Sequence, residues 1–242
     1  IRDYLNLAKQ EVIEIGRFNI LGKTTQGREI RKLIEEKKVF GWDDPRLVTI
    51  KALRKRGFIP GSFHELAKEV GLSKAETNTD MRVLESINRK LIDKKTKRYF
   101  VIFNAKKIKI KNTLKLKVKA PLHPSEKLGY RTFNTYDEFY IQDNLQKNKN
   151  YRFMHLFNFR NNKFISKELD KNLNAQFIHW LPVSKDLIKV KVLMDDGTWL
   201  NGLGERDLRK VKINEVVQFE RLMFARLDKK TKNELIFCFT HK

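Results

Sequence analysis

Lys107-Ile108-Lys109-Ile110-Lys111 and, after Asn112-Thr113, Leu114-Lys115-Leu116-Lys117-Val118-Lys119 alternate apolar and cationic residues. Successive side chains of a β-strand point to opposite faces. Ile108, Ile110, Leu114, Leu116 and Val118 therefore fall on one parity and the lysines on the other, as in a half-buried sheet. The lysine face reads as the outer wall of a barrel, where lysine also blocks edge-to-edge pairing. Further short strands are predicted at Phe139–Ile141, Tyr151–Phe159, Gln176–Leu181, Leu187–Met194, Val216–Leu227 and Leu235–Thr240, parted by turn signals such as Asp196-Gly197. Many short antiparallel strands at that spacing predict barrels.

Upstream of Arg98 the period is helical. Ile30, Leu33 and Ile34 recur between Arg28 and Lys38, with Gly27 as a start and Gly41 as a stop. Asp43-Asp44-Pro45 predicts a helix start by capping and by proline in the first turn, and Gly57 ends that helix. Ser62 with Glu65 and Ser73 with Glu76 have capping-box spacing, and Val83, Leu84, Ile87 and Leu91 continue the second of these helices to Asp93. The fold class is thus α+β and multidomain, a helical module followed by two antiparallel β-barrels.

The 242 residues carry 52 Lys and Arg against 29 Asp and Glu, a net charge of +23, within a composition 40% hydrophobic. This is a folded basic protein whose charge calls for a polyanionic partner. With Cys238 as the single cysteine, no disulfide framework or cysteine-based metal site can form. His64, His123, His155, His179 and His241 lack metal-ligand spacing, so no metal is expected. No apolar run reaches about 20 residues and no signal-peptide pattern opens the chain, which predicts a cytoplasmic protein without a membrane partner. Ile1 in place of a methionine predicts a polypeptide that continues upstream.

Gly41-Trp42-Asp43-Asp44-Pro45-Arg46-Leu47, followed by Ala52-Leu53-Arg54-Lys55-Arg56-Gly57-Phe58, resembles the glutamyl- and glutaminyl-tRNA synthetases of class I. The likeness continues in order through Gly71-Leu72-Ser73-Lys74, Leu84-Glu85-Ser86-Ile87-Asn88-Arg89-Lys90, Pro121-Leu122-His123-Pro124, Ile178-His179-Trp180-Leu181-Pro182, Gly202-Leu203-Gly204-Glu205 and Val217-Gln218-Phe219-Glu220-Arg221. The segment Phe224-Ala225-Arg226-Leu227-Asp228 is similar to the archaeal type of glutamyl enzyme.

The resemblance implies the end of a catalytic module with a signature loop in 1–40 and a helical stem-contact module in 41–97. It implies a proximal anticodon-binding barrel in 98–148 and 199–242, with a distal barrel in 149–198 inserted in it. The parent enzyme would activate glutamate with ATP and Mg2+ and transfer it to tRNA, acting as a monomer. Its nucleotide-binding catalytic domain would lie upstream as this chain's partner, leaving no catalytic residue here. Two alternatives remain: a non-catalytic stand-alone or split RNA-binding subunit, and the equivalent part of a glutaminyl enzyme.

Gln26-Gly27-Arg28-Glu29 stands where the family has its Lys-Met-Ser-Lys-Ser signature, a departure that leaves Lys23 and Arg28 as candidate ATP-phosphate contacts or as plain solvated charges. Arg46, Lys51, Arg54, Lys55 and Arg56 form one cationic helix side suited to the tRNA backbone. Trp42, Asp43 and Asp44 read as a cap with a packed tryptophan. Gln218 and Arg221, with Arg98 and Arg152 beside Tyr99 and Phe153, are the candidate anticodon contacts. Splayed bases are stacked on rings or guanidinium planes and read on their edges by Arg and Gln.

Overall fold

The computed structural model describes residues 4–5, 8 and 12–242, so the expected continuation before Ile1 and part of the expected 1–40 segment lie outside the described residues. The first elements are β1 (Phe18–Ile20), α1 (Gly27–Glu35), α2 (Ile50–Arg56), α3 (Pro60–Val70), β2 (Thr77–Thr79) and α4 (Met81–Ile92). β1 and β2 pair in parallel. Leu53, Phe58, Leu66, Leu84 and Ile87 form the buried core beneath α2, α3 and α4.

Three helix starts differ from expectation. Asp44 opens no helix, because its carboxylate accepts the backbone N–H of Phe40 and of Arg46, each at 3.0 Å, and this side-chain turn competes with helix formation. The helix begins after Thr49, whose hydroxyl accepts from the N–H of Ala52. Pro60 starts α3 two residues before Ser62, and the buried Ser62 hydroxyl donates to Asn88 Oδ1 at 2.7 Å instead of capping. Ser73 and Glu76 precede a strand, and Asp80 caps α4 through the N–H of Arg82. α1 starts at Gly27 as expected but ends at Glu35, well short of Gly41. α2 does stop at Gly57, in the left-handed region at φ 101°, where a Cβ would meet Val216 Cγ2 at 2.8 Å.

The remaining strands are β3 (Arg98–Tyr99), β4 (Val101–Phe103), β5 (Lys106–Lys109), β6 (Leu116–Pro121), β7 (Tyr130–Thr135), β8 (Glu138–Ile141), β9 (Asn150–Phe153), β10 (Asn158–Arg160), β11 (Lys163–Ser166), β12 (Gln176–Ile178), β13 (Leu181–Pro182), β14 (Ile188–Leu193), β15 (Trp199–Gly204), β16 (Val216–Phe219), β17 (Met223–Lys230) and β18 (Glu234–His241). Seven of them form one sheet in the order β3-β16-β17-β18-β14-β15-β4. Its two edges, β3 and β4, are pieces of one segment parted only by Phe100, so the chain itself closes the sheet into a barrel. Tyr99 and Val101 face the core of this barrel, while Phe100 and Ile102 face the neighbouring one.

That second core is bounded by β13-β8-β5 and β11-β10-β9-β12. Lys111 joins the two sheets by accepting from Phe164 N–H at 3.1 Å and donating to the Asn162 carbonyl at 2.8 Å. The end strands β12 and β13 are again successive, parted by His179-Trp180. The β6–β7 hairpin contributes Ala120 and Phe133 to the same core, beside Phe139, Phe153, Phe157, Phe159 and Trp180. Each such aromatic stabilises the fold by roughly 1.5–3 kcal/mol on leaving water.

The α+β, helices-then-barrels architecture holds, with differences in detail. Within the barrels three pairings, β3 with β16, β14 with β18 and β9 with β12, are parallel. Sheet membership also departs from the division 98–148, 149–198 and 199–242, since β5 and β8 share the core of 150–182 and β14 lies between β15 and β18. The alternating stretch from Lys107 to Lys119 is two strands, because Asn112 turns the chain at φ 62° and leaves Leu114 exposed. His155 and Arg221, both at φ 62°, break the predicted strands Tyr151–Phe159 and Val216–Leu227 into hairpins.

Candidate nucleic-acid interface

Lys23, in the loop between β1 and α1, and Arg28, in the first turn of α1, are both exposed. Lys23 Nζ donates to the Arg46 carbonyl at 3.3 Å, and the Thr24 hydroxyl bonds Glu29, which fixes the loop against the first turn of α1.

The cationic side predicted for residues 46–56 separates into three environments. Lys51 and Arg54 are exposed on α2. They line a groove with Trp42, Asp43, Lys55, Arg226, Asp228 and Lys229, between the helices and the first barrel. Lys55 is half-buried and 2.8 Å from Asp43, whose carboxyl is held below its ordinary range chiefly by that hydrogen bond. Arg46 donates through both arms to the fully buried Asp44, at 2.8 and 2.6 Å, and packs against Gly197. Asp44 sits below its usual pKa although burial opposes this, because the Arg46 hydrogen bonds outweigh it.

Arg56 corrects the expectation. Its side chain is 1% exposed and donates to the carbonyls of Phe239 at 3.2 Å and Thr240 at 2.8 Å and to Glu85 at 3.2 Å, with Asp195 at 3.6 Å. A guanidinium buried against these acceptors docks α2 onto β18 and α4 and lies out of reach of a phosphate at the surface. Asn88 completes the docking, accepting from Ile59 N–H and from Ser62 and contacting His241 Nε2 at 3.0 Å.

Arg98, Gln218 and Arg221 come together at one end of the first barrel. Gln218 is the direct neighbour of Arg98 in the β3–β16 ladder, and Arg221 occupies the turn that follows β16. Arg98 is half-buried and pairs with Asp93 at 3.2 Å. Its Nε and Gln218 Oε1 are buried without a protein partner. Arg221 is exposed and donates to the carbonyl of Phe177 at 2.8 Å, touching the second barrel beside an exposed aromatic ring. Arg152 does not join them. It is 8% exposed, and one amino group bonds Asn158 Oδ1 at 3.0 Å and the carbonyls of Lys167 and Glu168 at 3.2 and 3.0 Å, so it braces the wall of the second barrel. Tyr99 and Phe153 are core residues.

Arg82, Arg89, Lys90, Lys94 and Lys95 were missed by the sequence reading. They are exposed along α4 and the turn after it, on the path from the helices to Arg98. Their signal is the helical spacing of 82, 89 and 90, hidden behind the apolar run that identified the helix. Burial pushes the Cys238 thiol up to about 11, so it is no nucleophile. Among the described residues no group of three or more His, Cys, Asp or Glu side chains is placed to hold a metal, and no helix is long and apolar enough to cross a membrane.

Residues 1–94 match the family described as tRNA synthetases class I (E and Q), catalytic domain, and residues 96–179 match its anti-codon binding domain. The chain belongs to this family of class I aminoacyl-tRNA synthetases. Among curated relatives it is similar to the glutamate–tRNA ligase of Methanocaldococcus jannaschii, 36% identical over all of this chain and 46% of the relative. It is 34% identical to the glutamate–tRNA ligases of Methanococcus maripaludis and Pyrococcus furiosus, again over all of this chain and 46% and 45% of theirs. The chain thus spans somewhat less than half the length of these relatives.

Proposed function

We propose that this chain is the tRNA-docking and anticodon-reading part of a glutamate–tRNA ligase, which activates glutamate with ATP and transfers it to tRNA. The observation that carries this is the pairing of Arg98 and Gln218 as ladder neighbours, with Arg221 in the turn just after Gln218's strand reaching across to the second barrel. Two guanidinium groups and an amide there can stack on and hydrogen-bond unpaired bases. Lys51 and Arg54 in their groove, with Arg82, Arg89, Lys90, Lys94 and Lys95 along α4, supply cations for the phosphates of the stem leading to those bases.

In this reading the helical segment 41–97 follows the inside of the tRNA and the two barrels hold the anticodon loop. ATP enters as its magnesium complex, a substrate. Lys23 and Arg28 meet its phosphates, where positioned cations stabilise developing charge.

The test is a binding titration with glutamate-accepting tRNA, with the same tRNA altered only in its anticodon, and with an unrelated tRNA, each at two salt concentrations. Preference for the unaltered anticodon that persists at the higher salt supports the reading. Equal affinities that fall together with salt reduce the chain to a general polyanion binder.

A further inference from the structure

One buried cation ties together every segment that carries the proposed base contacts. Arg131 lies on β7 with its side chain 1% exposed, although it is neither on the reading edge nor in a groove. Its Nη1 donates to the carbonyl of Arg98 and, at 3.0 Å, to that of Pro121. Its Nη2 donates to Glu220 at 2.6 Å, the residue between Gln218's strand and Arg221. Its Nε lies 3.2 Å from Glu205, whose other contact is the N–H of Phe100 at 2.7 Å, the pivot between β3 and β4. The guanidinium also lies over the Phe100 ring, 4.5 Å from its centroid.

A guanidinium presents its donors in a fixed plane, so these contacts set the Arg98 backbone, the Glu220 carboxylate and the β3–β4 bend relative to one another. A lysine keeps the charge but not the fork. The second barrel enters the same cluster. His155, from the turn between β9 and β10, is 3.9 Å from Glu220, and His179 packs edge-on against Phe100. Arg131 stands between Glu205 and the Glu220 carboxylate at the ends of both barrels, where a merely stability-giving core would place an apolar side chain.

We propose that Arg131 is a positioning residue for anticodon discrimination, holding Arg98 through its carbonyl and Arg221 through Glu220 in the geometry that reads the bases. This rests on the anticodon-reading function proposed above. With the backbone of Arg98 and the neighbour of Arg221 held by the same planar group, the two positions are spaced before tRNA arrives, which lowers the ordering cost of binding.

The test compares the full chain with its Arg131→Lys variant, measuring affinity for glutamate-accepting tRNA and for the anticodon-altered tRNA. Arg131→Lys is expected to lower the ratio of the two affinities by about tenfold, with affinity for the altered tRNA changed less than twofold. Arg56→Lys, at an arginine equally buried but remote from the barrel end, is expected to lower stability and leave the ratio intact. Glu220→Gln, which keeps the volume, is expected to lower the ratio as well and serves if Arg131→Lys does not fold. Combining Glu220→Gln with Arg221→Ala should lower the ratio no further than Arg221→Ala does, whereas Arg131→Lys, which also releases the Arg98 carbonyl, should lower it further in that background. A folded Arg131→Lys or Glu220→Gln protein with the unmodified ratio, or an equal fall in Arg56→Lys, overturns the proposal. Absence of any preference in the unmodified chain is a different result, and it overturns the anticodon-reading function itself.

Discussion

The guanidinium of Arg56 donates a 2.8 Å hydrogen bond to the carbonyl of Thr240, 184 residues further along the chain. With Glu85 and Asp195 completing its surroundings, this contact sets the angle at which the helices meet the first barrel. Replacing Arg56 with Met leaves Glu85 and two carbonyls without their donor. A loss of about 3–5 kcal/mol is expected, read as a lowered urea midpoint. Below the transition, tRNA affinity should stay within about twofold of the unmodified chain, since the side chain is buried away from the surface.

Lys51 and Arg54 should behave in the opposite way. Each is exposed and replaceable by Ala with a stability change within about 0.5 kcal/mol. Each substitution should weaken cognate and anticodon-altered tRNA alike and shallow the dependence of log affinity on log salt by about one charge. Affinity measured across a salt series for the three proteins checks this.

Gln218→Ala and Arg221→Ala should lower affinity for the cognate anticodon by about 1–3 kcal/mol and that for the altered one by much less. Arg152→Met should show the reverse signature, a loss of stability from three abandoned acceptors with the preference kept. Parallel titrations and denaturation curves of the three variants separate the two patterns.

Stability should peak near pH 6.5. Burial holds His179 and His241 at about 4 in the folded state, against 6.5 when unfolded. Between these values the unfolded chain binds more protons, so acidification costs up to about 3 kcal/mol per histidine. Burial raises Glu205 from 4.5 to about 8, so between these values the folded state holds the extra proton; below pH 6.5 the two histidines outweigh it, and above that stability declines as pH rises to about 8. Glu220 is held at about 2, because the bonds and charges of His155 and Arg131 overcome its burial, and it adds to the loss below about 4.5. Denaturation midpoints from pH 4 to 9 should trace this curve, and His179→Gln should flatten its acid limb.

The alternation about Ile108 and the spacing of Leu84 and Ile87 made strands and helices legible, since apolar periodicity reports directly which face is buried. What periodicity does not report is the destination of a polar side chain. Asp44 looks like a cap and is a clamp on Arg46, while Arg56 looks like one more cation beside Arg54 and is interior. Arg54 and Arg56 lie two positions apart on a helix, nearly on opposite sides, and only the barrel packed against α2 decides which side is dry. The motif residues Asn88, Glu205 and Glu220 were quoted for the family and prove to join modules, through partners 26 to 153 positions away. Arg131 carried no local signal, because its three acceptors and the neighbouring Glu205 lie on four different segments.

The chain leaves the first barrel after β4 and re-enters it at β14, and only β15 lies between those two strands. The exit and the return of the second barrel are therefore neighbours, so it hangs on the first as a side loop whose ends are already brought together. Its melting need not pull any strand out of the seven-stranded sheet. Backbone amides of 150–182 can thus exchange with solvent through openings of lower free energy than those of β17 and β18, and evolution can lengthen, shorten or reshape this appendage without disturbing the part that grips the helices.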